Sequence, residues 1–280
     1  MKKLFSFLLS LLLCLSACAA HAEAFYKVSE AEFNTEAMLE IAFGERVEEA
    51  GHENREYSYH HYSLDENGPP FCGYGGVNPW MTGYQSSLSI YMRNYVDNVF
   101  DFNNDNVIPS GIAPCGLTRE GALVQAEGIM KQLALGEYRL LSITAYGRQQ
   151  GTVPAYCVSF QQTLNGRPVY WFTDNNELWP RYYSNVVQIH LSDDGLIHLA
   201  GNWSSFAAMG ETAGVMIEAS MQERFASIGL EAADAEGCYY IRSMGKTAGM
   251  VAYPAWRVGN NYLSVDDSWL QITSSPQLVR

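Results

Sequence analysis

The chain has 280 residues and a formal net charge of −13, from 17 basic and 30 acidic residues. An acidic excess of this size repels phosphate backbones, so it argues against nucleic acid as a partner. Hydrophobic residues make up 48% and aromatic residues 13% of the chain. This composition is typical of a globular protein and not of a disordered one.

The first predicted element is a secretory leader. Lys2 and Lys3 precede the uncharged apolar run Leu4–Leu15, which is too short to span a bilayer comfortably and is followed by small residues. Two processing outcomes stay open. The motif AHA ending at Ala22 is a signal peptidase site that would remove residues 1–22. The motif LSAC resembles a lipobox, which would remove residues 1–17 and leave Cys18 as the lipidated anchor.

Either outcome predicts an extracytoplasmic protein. It is secreted, or it is held on the outer face of the cytoplasmic membrane by the lipid on Cys18. The sequence predicts no other contact with a membrane, because no later segment is long and apolar enough to span one.

Residues 25–113 are predicted to form a less regular α+β segment. In SEAEFNTEAMLEIAFG, a short helix places Phe33, Ala37, Leu39 and Ile41 on a rough apolar face. Polar strands rich in tyrosine follow. The stretch SSLSIYMRNYVDNVF, residues 86–100, is predicted to be a second helix, and DFNNDNVIPSG closes the segment as a loop.

Residues 114–208 are predicted to form a first helix-plus-sheet unit. Thr118 caps the helix of GLTREGALVQAEGIMKQLAL, and Gly136 ends it. The strand YRLLSITAYG comes next. The turn Asn165-Gly166 then predicts one hairpin, and SNVVQIHLSDDGLIHLAGNWSSF predicts another.

Residues 209–280 repeat this order as a second unit. The helix TAGVMIEASMQERFASIGL places Ile217, Met221, Phe225 and Ile228 on one side, and the strands GCYYIRSM, GMVAYPAWRV and NYLSVDDSWLQITSS follow. A helix followed by several antiparallel strands, seen twice, predicts the α+β class with two tandem helix-plus-sheet units.

Several of these stretches carry a family resemblance. LTREGALVQAEGIMKQL, NGRPV and VQIHLSDDGLIHL resemble the secreted halves of the YycH/YycI regulators and, more loosely, PepSY-type modules. AYPAWRVGNNYLSVDD is similar to a late strand pair of such domains. Over residues 115–275 the chain most resembles a clostridial family of uncharacterised secreted lipoproteins, a domain of unknown function built on this plan.

The resemblance implies a partner and no catalytic residues. YycH and YycI regulate a membrane histidine kinase through protein contacts, and PepSY modules restrain peptidases. This chain lacks the retained membrane helix of the kinase regulators. The resemblance therefore implies a binding or regulatory module that contacts a protein or peptide at the cell envelope.

The stretch QIHLSDDGLIHL, residues 188–199, is a hairpin with two histidines around an acidic turn. If Asp193-Asp194-Gly195 is a three-residue loop with Gly195 left-handed, His190 lies directly opposite His198. Two imidazoles this close are a zinc candidate if a third ligand is supplied, and the nearby sequence supplies none on that face. The alternative, which we favour, is an exposed histidine pair on a scaffold hairpin.

A calcium candidate lies in FDFNNDNVIPSG. Asp101, Asn103 and Asp105 have the 1, 3, 5 spacing of a calcium loop. Asn106 stands where glycine normally allows the turn, and Ile112 replaces the bidentate glutamate. Such a loop would bind calcium at millimolar concentration if at all, and the alternative is an Asx-rich turn. The sequence predicts no cofactor, with calcium as the possible exception.

The cysteines predict a disulfide and no CxxC metal or redox site. Cys72 and Cys115 both lie in Gly/Pro-rich loops, so we favour a bond between them in an oxidising compartment. Cys157 lies within a strand that looks buried and is read as a core thiol.

The hydrolase motifs GxSxG, HExxH and CGxCW are all absent from the sequence. The leading hypothesis is an extracytoplasmic non-enzymatic binding module. The alternative is a secreted hydrolase or carbohydrate-binding protein whose site assembles from distant residues. A deep polar pocket that joins a carboxylate to Trp171 or Trp179 would favour that alternative.

Overall fold

The structure is a computed structural model. It describes residues 24–55, 59–65, 68–76, 86–92, 116–146, 155–171, 185–211, 218–243, 249–259, 261–265 and 269–271. The helices in these ranges are α1 (Thr35–Phe43), α2 (Arg119–Leu133) and α3 (Glu218–Ala226), with 3-10 turns at Gly44–Glu49 and Ala232–Asp234.

Fourteen strands lie in the same ranges. They are β1 (Ala24–Glu30), β2 (Gly51–Arg55), β3 (Tyr59–Asp65), β4 (Gly68–Gly76), β5 (Ser86–Tyr91), β6 (Tyr138–Tyr146), β7 (Ala155–Leu164), β8 (Arg167–Trp171), β9 (Val186–Ser192), β10 (Gly195–Glu211), β11 (Glu236–Ser243), β12 (Met250–Val258), β13 (Asn261–Ser264) and β14 (Trp269–Gln271).

The chain divides into two compact units. The larger is Val28–Phe206, and the smaller combines the described residues up to Lys27 with those from Ala207 onward. Helices and strands are both present and the sheets dominate, which agrees with a mixed α and β class. The expected plan of two tandem helix-plus-sheet units is matched only loosely. The predicted domain limits stay predictions.

The sheet of the larger unit runs in the order β6–β7–β9–β10–β5–β4–β3–β2, and neighbours pair antiparallel. β8 pairs with the end of β7 through the Asn165-Gly166 turn, where both residues have positive φ, as a two-residue hairpin requires. Strands of the predicted segment 25–113 thus continue the sheet of residues 114–208, through the pairing of β5 with β10.

The predicted helix over residues 86–100 is wrong for its first part, which is strand β5. Leu88 and Ile90 are fully buried and alternate with serines, and this two-residue period is the pattern of a half-buried strand. Residues 93–100 of the prediction lie outside the described residues.

Helix α2 follows its sequence signals closely. The Thr118 side chain accepts a hydrogen bond from the Gly121 N–H at 3.0 Å, which caps the helix as expected. Ala122, Ala126, Met130 and Leu133 form its buried face. The helix ends in a left-handed residue at Ala134, two positions before the predicted stop at Gly136.

Both ends of α2 are tied to hairpin turns. Asp193, in the β9–β10 turn, accepts a hydrogen bond from the Gly116 N–H at 2.6 Å. Glu137 accepts one from the Gly166 N–H at 3.0 Å, in the β7–β8 turn. The buried Trp203 indole donates to the Leu135 carbonyl at 2.6 Å. These contacts hold the helix against the sheet.

The smaller unit is a sheet with α3 on one face. Its strands pair in the order β14–β13–β12–β11, and β1 pairs with β12 at Tyr26 and Lys27. Met221 and Phe225 of α3 pack with Val258 and Leu263. Ile228 is 45% exposed and lies beyond the helix, which corrects its predicted place on the apolar face.

Candidate functional site

The sheet of the larger unit has two unlike faces. One face packs on α1 and α2 and carries apolar side chains, among them Ile90, Leu199 and Ile189 on neighbouring strands. The opposite face, which we call the polar face, carries mostly histidine, serine, glutamine and asparagine. Because side chains alternate along a strand, both faces come from the same five central strands.

An aromatic row crosses the polar face. Phe71 pairs with Tyr91, Tyr91 with His198, and His198 with His190, on β4, β5, β10 and β9. Successive ring centroids are 4.4, 4.2 and 5.3 Å apart. Cys157 of β7 lies opposite His190 and extends the row by a thiol. We call these five residues the histidine row.

The structure confirms that His190 lies opposite His198, although the turn differs from the expected one. Ser192 pairs with Gly195 across the two-residue turn Asp193-Asp194, and a bulge at Ile197 restores the register. The expected three-residue loop is therefore wrong. The observed turn is one residue shorter than the expected loop, and the bulge adds one residue, so the two differences cancel. His190 therefore lies opposite His198 in both the expected and the observed arrangement.

The expectation of an exposed pair is also wrong, because His190 is 0% and His198 1% exposed. Burial, with His198 as a neighbour, holds the pKa of His190 well below its usual value. Burial lowers the pKa of His198 to about 3. Both imidazoles are therefore neutral at physiological pH, because removal from water penalises the charged form.

A second row of uncharged residues runs beside the histidine row, two positions further along each strand. It consists of Gly73, Ser89, Ala200, Gln188 and Ser159, paired in that order. Ser89, Ala200 and Gln188 are half-buried, whereas Gly73 and Ser159 are buried. We call this set the middle row. Its members are uncharged, and most have short side chains.

The polar face also holds an arginine near β8. Arg139 donates from Nε and Nη2 to Gln161 Oε1 at 3.0 and 2.8 Å, and from Nη2 to the Tyr170 hydroxyl at 3.2 Å. Gln161 in turn donates to the Val169 carbonyl at 3.1 Å. The guanidinium is thus oriented by neutral groups from two strands.

A buried network bridges β7 and β10 where β9 begins. Gln162 Nε2 donates to the Ser204 carbonyl at 2.7 Å, and Gln162 Oε1 accepts from the Ser204 N–H at 3.2 Å. The Gln162 N–H donates to the Asn185 carbonyl at 2.7 Å, and the Ser204 hydroxyl donates to Asn185 Oδ1 at 3.3 Å. The glutamine side chain therefore takes the place of a missing strand pairing.

Sequence reasoning missed Cys157 as a neighbour of the histidines and missed the middle row altogether. Both depend on β9 pairing with β7, although β8 lies between them in the chain. The buried run AYCVSFQQT, in which both faces are covered, is the one signal that marks β7 as central.

The metal predictions stay predictions. Asp101, Asn103 and Asp105 lie outside the described residues. Within the described part of the chain, no group of three or more His, Cys, Asp or Glu side chains is placed to hold a metal ion.

The adjacent histidines of β3 lie on opposite faces of the sheet, because side chains alternate along a strand. His60 stacks on Tyr74 on the apolar face, whereas His61 contacts Phe71 on the polar face.

The cysteine predictions have mixed outcomes. Cys72 is a thiol with 0% exposure, and burial raises its pKa to about 12. Cys115 lies outside the described residues, so the Cys72–Cys115 bond stays a prediction. Cys157 is a buried thiol of strand β7, as expected.

The leader and Cys18 also lie outside the described residues. In the ranges that the structure does describe, no helix has the length and apolarity to cross a membrane.

Comparisons with known proteins show a shared fold and do not show a family. The chain matches no protein-family model and no curated protein. A solved structure of an uncharacterised protein from Eubacterium rectale ATCC 33656 is similar, with a TM-score of 0.53, 9% identity, and coverage of 90% of this chain and 86% of that one. At this identity the likeness shows a shared fold alone.

A second solved structure is the YpeB C-terminal domain of Bacillus megaterium. Its TM-score is 0.34 at 11% identity, over 80% of this chain and 88% of that one. Neither match identifies a clostridial lipoprotein family.

Proposed function

We propose that the protein is an extracytoplasmic, non-enzymatic binding module that contacts a protein or peptide partner at the cell envelope. The secretory leader predicted around Leu4–Leu15 supports the location. The polar face of the larger unit supports the mode of binding. Secretion or anchoring through Cys18 belongs to the same proposal.

The middle row is the single observation that carries the proposal. Ser89 and Gln188 are half-buried, uncharged, and able to donate and accept hydrogen bonds. An extended peptide presents alternating N–H and C=O groups, and such side chains pair with them without a charge. Five strands spaced about 4.8 Å apart make the row about 19 Å long, the length of about six extended residues.

Site-specific photo-crosslinking tests the proposal. A photoreactive residue is placed at Ser89 or at Gln188, and the matched control carries it at the exposed Lys131 of α2. We expect the two polar-face positions to capture the same envelope protein in cells that natively make the chain. Gln188→Arg should remove the adduct formed at Ser89, because a long charged side chain fills the middle row.

Two outcomes contradict the proposal. One is the absence of adducts at both polar-face positions, and the other is the same adduct at Lys131 with equal yield. If instead a soluble glycan bound the chain and blocked labelling at Ser89, the carbohydrate-binding alternative would replace it. The side chains of Trp171 and Trp179, on which that alternative depends, lie outside the described residues.

A further inference from the structure

We propose that two copies of the chain pair antiparallel through strand β6, as a symmetric dimer whose sheets join at this edge. The dimer is independent of the binding function proposed above. β6 pairs with β7 on one side, and no strand in the described ranges pairs with its other side. The outer side of β6 is therefore an open sheet edge in the part of the chain that the structure describes.

This edge lacks the features that keep sheet edges apart. Natural edge strands carry charges or prolines, which oppose pairing with another chain. The strand at the opposite end of the sheet, β2, has the sequence GHENR with two charges, whereas residues 140–146 of β6 have no charge and no proline. Leu140 and Leu141 are 44% and 50% exposed. Pairing with another strand would remove this apolar surface from water.

The direction of the main-chain groups of β6 follows from its pairing with β7. The Glu137 carbonyl accepts a hydrogen bond from the Thr163 N–H at 3.0 Å, so the odd-numbered residues of β7 direct their main-chain groups towards β6. A bulge at Leu141 then shifts the register, so that Ser142 pairs with Ser159. The residues of β6 that direct N–H and C=O groups outward are therefore Tyr138, Leu140, Ile143 and Ala145.

The bulge favours a second copy of β6 as the partner. Outward groups normally recur every two residues, but the bulge places Ile143 three residues after Leu140. A regular strand can therefore bond to only one half of β6, whereas a strand with the same three-residue step bonds to both halves. A second copy has this step at the matching place when a two-fold axis passes through the bulge. The pairs that result are Leu140 with Ile143 and Tyr138 with Ala145, each formed twice.

This register supplies enough hydrogen bonds for a specific contact. Each of the four pairs exchanges two main-chain bonds, about eight in all, close to the roughly ten of a typical protein–protein interface. Tyr138 and Ile143 both pack against the apolar core of the larger unit. They lie opposite residues of the same face, so the apolar faces of the two copies lie on one side of the joined sheet.

The charges of the edge also permit the contact. Copies with a net charge of −13 repel each other, so they can approach only through a surface without an acidic excess. The charged residues at positions 137–146 are Glu137 and Arg139, one of each sign. The two-fold register sets them opposite the uncharged positions 146 and 144. No like charges therefore face each other across the two strands.

Disulfide crosslinking of the full chain, in the cells that natively make it, tests the proposal. Leu141→Cys places one thiol on each side of the two-fold axis, with Cα atoms about 6 Å apart, which a disulfide can join. Val124→Cys is the matched control, because Val124 is 69% exposed and lies on α2. We expect Leu141→Cys to give a reducible homodimer, identified by mass spectrometry, and Val124→Cys to give no more than wild type.

Sedimentation velocity of the chain purified from the same cells is the second readout. Leu140→Pro removes an outward N–H that β7 does not use, and an edge strand tolerates proline at such a position. We expect wild type to dimerise as its concentration rises, and Leu140→Pro, checked for folding by circular dichroism, to raise the dissociation constant about tenfold.

Four results would overturn the proposal. They are a wild type that stays monomeric, a folded Leu140→Pro variant that dimerises as tightly as wild type, a homodimer yield from Leu141→Cys no greater than from Val124→Cys, and a Leu141→Cys crosslink to a different protein. The last result would assign the edge to another partner.

Discussion

His190 and His198 occupy strand positions that are closed to water, so each is held in its neutral form. In the unfolded chain the same side chains take up protons near pH 6.5. Below that pH the unfolded state therefore binds more protons than the folded state, and the free energy of unfolding falls as the pH falls towards the lowered folded pKa values. The pair makes the larger unit sensitive to acid.

Gly201 of β10 is a second residue whose identity the fold requires. A Cβ atom built there would lie 2.5 Å from the Val186 carbonyl oxygen and 2.7 Å from Val187 Cα, both of them backbone atoms. Backbone cannot move aside as a side-chain tip can. We expect Gly201→Ala to lower the free energy of unfolding by about 1–3 kcal/mol, measured by urea denaturation.

Gly128 of α2 is the matched control for this substitution. It is exposed, and a Cβ atom there would meet nothing within 4 Å. Gly128→Ala should therefore stabilise the protein by up to about 1 kcal/mol, because alanine favours helix. A Gly201→Ala variant as stable as wild type would show that β9 and β10 approach less closely than described.

At the scale of elements, the Gln162 side chain links β7 to β10 at a point where the two strands do not pair through their main chains. The side chain takes the place of main-chain pairing between β7 and β10, through two hydrogen bonds to Ser204. We expect Gln162→Leu, which keeps the volume but removes both bonds, to cost about 1–3 kcal/mol of stability in urea denaturation.

Gln132→Leu is the control for that substitution, since Gln132 is exposed on α2 and its change should stay within about 0.5 kcal/mol. Equal stability of the two variants would mean that Gln162 does not bridge the strands.

The elements that the sequence predicts well carry their signals locally. Thr118 as a cap, and an apolar face built from Ala122 and Met130, suffice to define α2. Asn165-Gly166 likewise defines its hairpin. The sequence of strand β5 is also compatible with a helix, because a stretch of six residues with two buried positions is too short to separate the helical period from the strand period.

At the scale of the whole molecule, local sequence signals do not predict the order of the strands in the sheet. β9 pairs with β7 and β10 pairs with β5, and neither β7 with β9 nor β5 with β10 is joined by a short turn. The histidine row needs both pairings, since Cys157 and Tyr91 reach the histidines through them. The sequence therefore predicts the two opposed histidines, which share a hairpin, but neither their burial nor their neighbours.

The description of the polar face requires that the histidine row is assembled and closed to water. The most direct test is NMR of the metal-free chain with isotope-labelled histidine and tyrosine. We predict nuclear Overhauser contacts from the His198 ring to both the His190 and Tyr91 rings, and ring nitrogens that stay neutral from pH 7.5 to about pH 5, because burial lowers both pKa values. Missing contacts, or titration of both rings near pH 6.5, would contradict the account.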